Sequence, residues 1–106
     1  MPRYLFRAAY TTEGAKGLKK SGGSQRRAAV KEMIEKAGGR LEVFYFAFGK
    51  SDAIIIAELP DQATAAGISL AVGATGAATT RTTVLITPEE IDAGAKQTVN
   101  YRPPGA

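Results

Sequence analysis

The run Ala53–Ala57, three isoleucines between two alanines, constrains the fold more than any other part of this sequence. It has neither a helical nor an alternating period, and short β-branched runs of this kind are typical of a strand covered on both faces. Gly49 precedes the run and Pro60 follows it, so a turn bounds the strand on each side. We therefore expect a buried strand over Asp52–Leu59.

Three further strands are expected from apolar, aromatic and β-branched patterns, over Tyr4–Tyr10, Arg40–Phe48 and Arg81–Ile86. Alternation along the second strand predicts which side chains share a face. One face carries Leu41, Val43 and Tyr45, and the other carries Phe44, Phe46 and Phe48. Large apolar groups are therefore expected on both faces of the sheet.

Capping residues indicate where the helices begin. Ser24 is expected to cap a helix that runs to about Ala37, and Asp61 a helix that runs to about Val72. Thr87, followed by a proline and two glutamates, predicts a short terminal helix. Glycines are frequent in the segment 11–23 and lower its helix propensity, so we expect a loop there with room for one helical turn.

The predicted order is β-α-β-β-α-β followed by a short helix, which is the ferredoxin-like arrangement of the α+β class. In that fold a four-stranded antiparallel sheet has its first and third strands in the centre and its helices on one face. We expect one such domain over residues 1–92 and a tail over residues 93–106.

Two features predict that the chain associates with itself. Helices on one face leave the apolar side chains of the other face in water, and soluble monomers rarely expose a contiguous patch of that kind. The nineteen residues between Asp61 and Arg81 carry no charge, although a helix that faces solvent normally carries some. We expect a homodimer or a higher homo-oligomer that forms through the sheet face.

The absence of cysteine and histidine excludes several kinds of chemistry. There is no thiol nucleophile, no disulfide, no histidine general base and no zinc site built from these residues. We expect no metal and no cofactor. The segment MPRYLFRAAY places arginines among its apolar residues and lacks the core of a signal peptide, so a cytoplasmic protein without a membrane partner is expected.

Several segments resemble those of the GYD domain family, small bacterial proteins of the dimeric α/β-barrel, ferredoxin-like type. They are the first strand ending in Tyr10-Thr11, the helix end EKAGGRLE, the hairpin FGKSDAIIIAELPD and the later segment TTRTTVLITPEE. The resemblance covers about Pro2 to Ile91 and implies the fold and a dimer, but no reaction. In the hairpin Gly49 and Asp52 match the family pattern, whereas Ser51 stands where a tyrosine is usual.

Asp52 is the candidate for chemistry, and two interpretations stay open. Its carboxylate can lock the hairpin by accepting N–H bonds from the turn at Gly49. Alternatively it is the proton acceptor of a cofactor-free enzyme of the monooxygenase or isomerase kind, near Tyr45 or Arg7. Arg7, inside the first strand, is expected to pair with Asp52 or Glu58. The ligand-binding candidates are Arg7, Tyr10, Tyr45, Gly49, Ser51 and Thr82.

A basic segment between Glu13 and Glu32 contains six positive residues and no acid. Solvated charge explains such a segment, and an anion site at the start of the following helix is the alternative. The anion-binding candidates are Lys19, Lys20, Ser24, Arg26 and Arg27. Aromatic residues that would stack on bases are absent from the segment, so nucleic acid is not expected as a partner.

The sequence thus predicts a small homo-oligomeric protein whose cavity binds a small molecule without demonstrable catalysis. An enzyme that uses Asp52, or a module that binds an anion or a partner through residues 16–31, is the alternative.

Overall fold

Four strands and four helices account for most of the chain in the computed structural model, which describes all 106 residues. The strands are β1 (Arg3–Tyr10), β2 (Arg40–Phe46), β3 (Ala53–Glu58) and β4 (Ala78–Leu85). The helices are α1 (Thr12–Ser21), α2 (Gly23–Lys36), α3 (Gln62–Ala74) and α4 (Pro88–Ala95).

The strands form one antiparallel sheet in the order β2-β3-β1-β4. The two central strands are therefore the first and the third, as predicted for a ferredoxin-like α+β fold. Phe6 in β1 lies opposite Ile55 of β3 on one side and opposite Thr82 of β4 on the other. This register fixes which side chains of all four strands share a face.

The hydrophobic core lies between the sheet and the helices. From the helices, α2 contributes the buried residues Val30 and Ile34, and α3 contributes Ala65. Val30 and Ile34 are four residues apart and therefore lie on the same face of α2. The sheet supplies the rest, and Ala53 and Ala57 are fully buried on the side that faces the helices. The seven members of the core cluster are Tyr4, Phe6, Val30, Ile34, Ala57, Leu59 and Ala65.

A β-bulge at Glu42 changes the predicted faces of β2. The pairing with β3 shifts register between Leu41 and Val43, so one extra residue lies on the β2 side. Leu41 consequently packs against the core together with Phe44, and the prediction that it shares a face with Val43 is wrong. The strand also ends earlier than predicted, at Phe46.

The sheet face that the helices do not cover is called the open face here. Its central part consists of the half-buried side chains of Leu5, Val43, Ile54 and Ile56. The predicted burial of β3 on both faces is therefore found only on the helix side, where Ala53 and Ala57 are fully buried and Ile55 is half-buried. Within one chain, the isoleucines of the open face stay in partial contact with solvent.

A helix replaces the predicted loop over residues 11–23. The Thr11 hydroxyl caps α1 by accepting the N–H of Gly14, and the Thr11 N–H donates to the Ala77 carbonyl at 3.0 Å. Gly14 allows α1 to pack closely against this turn, because a Cβ at that position would be 1.9 Å from the same carbonyl oxygen. Tertiary contact with the turn before β4 thus outweighs the low helix propensity of glycine.

The capping predictions have mixed outcomes. Asp61 caps α3 by accepting the Thr64 N–H at 2.8 Å, and Thr87 forms a capping box with Glu90 at the start of α4, both as predicted. The predicted cap at Ser24 is wrong. Gly22, with a φ of 83°, ends α1 and starts α2, and no side chain caps α2. A single glycine in the left-handed region can join two helices in this way.

Candidate functional site

A cavity lies between α1, α2 and α3 and the helix side of the sheet, and we call it the central cavity. Its outer compartment has a volume of about 520 Å³, and its narrow inner compartment has a volume of about 50 Å³. Apolar residues make up 7 of the 13 that line the outer compartment and 10 of the 13 that line the inner one. The residues that line both are Tyr10, Arg26, Met33, Val72 and Ala78.

The local structure explains why space remains between these elements. Tyr10 ends β1, Arg26 lies in the first turn of α2, and Val72 lies in the last turn of α3, so all three occupy the same end of the domain. Across from them α1 contributes Gly17, which has no side chain to fill the outer compartment. A Cβ built at Gly17 meets nothing within 4 Å.

Arg26 is the only positive group that lines the cavity. Its Nε is buried and has no hydrogen-bond partner, and its guanidinium takes part in none of the ion pairs of the chain. Glu13, in the first turn of α1, lines the outer compartment without pairing with Arg26. A planar guanidinium in such surroundings can bind a carboxylate through two parallel hydrogen bonds.

Asp52 lies outside the central cavity. Its Oδ2 accepts the N–H of Tyr10 at 2.8 Å, and its own N–H donates to the Ala8 carbonyl at 2.8 Å. The expected bonds from the turn at Gly49 are not the ones it makes, because the carboxylate points across to β1. Asp52 thus ties the β2–β3 hairpin to the end of β1, while its role as a proton acceptor stays a prediction.

Arg7 is exposed on the open face and forms no ion pair, so the predicted pairing with Asp52 or Glu58 is wrong. The register explains the difference. Arg7 lies opposite Ile54 and Arg81, whereas Glu58 lies opposite Arg3 at the far end of β1. Two arginines therefore stand side by side in the sheet.

Glu58 belongs to a charged cluster that sequence reasoning missed. Arg40 donates to Glu58 at 2.9 Å, Arg3 lies 3.3 Å from Glu58, and the Nε of Arg3 donates to Glu42 at 2.6 Å. The hydrogen bond from Arg40 lowers the pKa of Glu58, and the hydrogen bond to Glu42 raises the pKa of Arg3. The pairing of Arg40 with Glu58 across the β2–β3 hairpin could have been predicted from the sequence. The bulge that brings Glu42 to Arg3 could not.

The other ligand-binding candidates lie apart from one another. Tyr45 is 69% exposed on the open face, and Gly49 and Ser51 lie in the β2–β3 turn. The Thr82 hydroxyl is 2.8 Å from the Ser69 hydroxyl, between β4 and α3. Of the candidates in this group, Tyr10 alone lines the central cavity.

The basic candidates are also dispersed, because the segment that carries them forms two helices. Lys19 and Lys20 are exposed in the last turn of α1. Ser24 and Arg27 line a shallow groove beside β2, and Arg26 lines the central cavity. The structure does not bring these five residues together into one anion site.

Neither a membrane-spanning helix nor a cluster of acidic side chains suited to a metal ion is present. Every helix is too short or too polar to cross a bilayer. Carboxylates do not gather in groups of three or more with the spacing of a metal site.

Comparison with known proteins identifies one family. No curated protein matches the chain, and no solved structure matches it. The family model described as GYD domain matches residues 4–95, which include all four helices and all of the four strands except Arg3, the first residue of β1. This match covers most of the 106 residues and confirms the resemblance of the hairpin and the helix ends. The chain belongs to the GYD domain family.

Proposed function

We propose that this protein binds a small molecule in the central cavity, without demonstrable catalysis, and works as a homo-oligomer. The observation that carries the proposal is the cavity itself. At about 520 Å³, the outer compartment falls within the range of about 300–1,000 Å³ typical of small-molecule sites. A mostly apolar lining with few polar groups is also typical of such sites.

Gly17 provides the most direct test of the cavity. Replacing it with leucine places a side chain in the outer compartment, where the backbone leaves room for a Cβ. Gly94→Leu is the matched control, since Gly94 also lies in a helix, also has nothing within 4 Å of an added Cβ and does not line the cavity. Both changes raise helix propensity by a similar amount.

Octanol and octanoate serve as probes in a titration of isotope-labelled protein followed by amide chemical shifts. We expect at least one of the two to shift amides of cavity residues such as Val72 and Ala78. Gly17→Leu abolishes these shifts, and Gly94→Leu leaves them in place. The proposed function fails if neither probe binds at the cavity, or if Gly17→Leu binds both as well as the wild type does.

The assembly is proposed to form through the open face. Leu5, Ile54 and Ile56 leave apolar surface in contact with water there, and a second copy would remove it from solvent. Arg7 and Arg81 lie directly opposite each other, and like charges in that arrangement destabilise a sheet. Acidic groups of a partner copy would relieve this repulsion.

The oligomeric state of charged variants tests the assembly. Ile54→Glu places a carboxylate in the centre of the open face and is expected to give a monomer in size-exclusion chromatography with light scattering. Tyr45→Glu, at a side chain that is 69% exposed, provides the same test with less risk to folding. Leu70→Glu is the control on α3, where the side chain is 74% exposed. A monomeric wild type, or loss of assembly in the control alone, contradicts the proposed interface.

A further inference from the structure

We infer that the ligand of the central cavity is an organic acid with one carboxylate and an apolar body, and that the carboxylate binds Arg26. This inference rests on the proposed function and names the chemical class of its ligand. It follows from three observations on the groups that line the cavity.

The first observation is the state of Arg26. Burying an N–H group without a partner is unfavourable, and the penalty is larger for a charged group. The Nε of Arg26 is such a group, since it is buried and makes no hydrogen bond. A carboxylate at the guanidinium edge would accept from Nε and from one terminal nitrogen in the bidentate geometry that arginine favours. The bound ligand would thus satisfy a donor that the chain leaves free.

The second observation is the charge balance of the cavity. Arg26 is the only cation among the lining residues, so the cavity can neutralise one negative charge. Glu13 lines the outer compartment and would repel a second acidic group. The three lysines of α1, Lys16, Lys19 and Lys20, do not line it. These charges favour a monocarboxylate over a phosphate dianion or a dicarboxylate.

The third observation is the surface beyond Arg26. Phe6, Val30, Ile34 and Ile55 line the inner compartment together with other apolar residues. The outer compartment adds Leu18 and shares Met33 and Val72 with the inner one. An alkyl or aryl body would bury its apolar surface against these side chains, and the removal of that surface from water favours binding.

Three probes of the same length but different head group test the inference by calorimetric titration. They are octanoate, octanol and octylamine. A charge-assisted hydrogen bond contributes about 1.5–3 kcal/mol, so octanoate should bind at least about tenfold more tightly than octanol. Octylamine should bind more weakly than octanol, because its ammonium group would lie beside Arg26.

Variants then assign the effect to a residue. Arg26→Met is expected to abolish the preference for octanoate, so that octanoate binds no more tightly than octanol does to the same variant. Lys31→Met removes one charge from the same helix outside the cavity and should leave all three affinities unchanged. Glu13→Gln should tighten octanoate binding. If Arg26→Met does not fold, Arg26→Lys is the alternative test. It keeps the charge without the bidentate geometry, so it should retain only part of the preference for octanoate over octanol.

The outcomes separate the inference from the proposed function. If octanol binds as tightly as octanoate and Gly17→Leu blocks both, the cavity is a ligand site, but the inference that its ligand is an organic acid is wrong. If octanoate is preferred and Arg26→Met retains the preference, another group recognises the carboxylate and the assignment to Arg26 is wrong. If neither octanol nor octanoate binds, the proposed function and the inference both fail.

Discussion

Gly14→Ala should destabilise the protein, although alanine is the better helix former. Gly14 lies in the first turn of α1, and a Cβ there would lie 1.9 Å from the Ala77 carbonyl oxygen and 3.0 Å from the Tyr10 ring. The backbone at Ala77 cannot move away freely, because it also accepts the N–H of Thr11 at 3.0 Å. The substitution therefore pushes α1 off the turn that precedes β4.

The magnitude follows from three contributions. Overpacking a tight contact typically costs about 1–3 kcal/mol. Loss of the bond from Thr11 to Ala77 costs about 1 kcal/mol more. Replacement of glycine by alanine in a helix gains about 1 kcal/mol. The free energy of unfolding should thus fall by about 1–3 kcal/mol for Gly14→Ala.

Gly17→Ala is the matched control, because it makes the same change in the same helix with nothing within 4 Å of the new Cβ. It should stabilise the protein by up to about 1 kcal/mol. Urea denaturation at one fixed protein concentration measures both variants, since self-association would make stability depend on concentration. Equal gains in the two variants would refute the close contact at Gly14 and the docking of α1.

Three further predictions concern carboxylates. The hydrogen bond from Arg40 holds the pKa of Glu58 in the folded protein below its ordinary value of 4.5. The ionised Glu58 carboxylate therefore stabilises the fold above pH 4.5, and this stabilisation is lost as the pH falls through the lower pKa of the folded state. Denaturation midpoints of the wild type and Glu58→Gln should therefore differ at neutral pH and converge in acid. Asp61→Ala should lower the melting temperature more than Asp61→Asn, which keeps an acceptor oxygen for the first turn of α3; equal losses would contradict the cap. Asp52→Ala should cost about 1–3 kcal/mol by leaving the Tyr10 N–H without its acceptor, whereas Asp52→Asn should cost less, as urea denaturation would show.

Sequence patterns predicted the elements whose determinants are local. The caps at Asp61 and Thr87 depend on residues within one turn, and the central position of β3 depends on the composition of a single run. The helix α1 and the bulge at Glu42 were missed because their determinants are distant in sequence. The contact of Gly14 with Ala77 joins residues that are far apart in the sequence, and the register shift at Glu42 appears only in the pairing of β2 with β3.

The candidate site was predictable in part for the same reason. Tyr10 was predicted as a ligand-binding residue and Arg26 as an anion-binding residue. That both line one cavity depends on the packing of α1 and α3. Arg26 and Arg27 are adjacent in sequence, and successive residues of a helix point about 100° apart. One consequently faces the central cavity while the other faces the groove beside β2. The sequence placed both arginines on the same helix, but which of them faces the cavity depends on where α1 and α3 pack.

The wall of the central cavity that moves most easily should be α1. It contains no buried residue, in contrast to α2 with Val30 and Ile34, and two glycines lower its helix propensity. Elements with few buried contacts open at the lowest free energy, so amide hydrogen exchange should be faster in α1 than at the centre of α2. A ligand held between α1 and Arg26 would make opening more costly, and saturating octanoate should slow exchange in α1 selectively. Exchange in α1 as slow as in the core of α2 would mean that the cavity opens elsewhere.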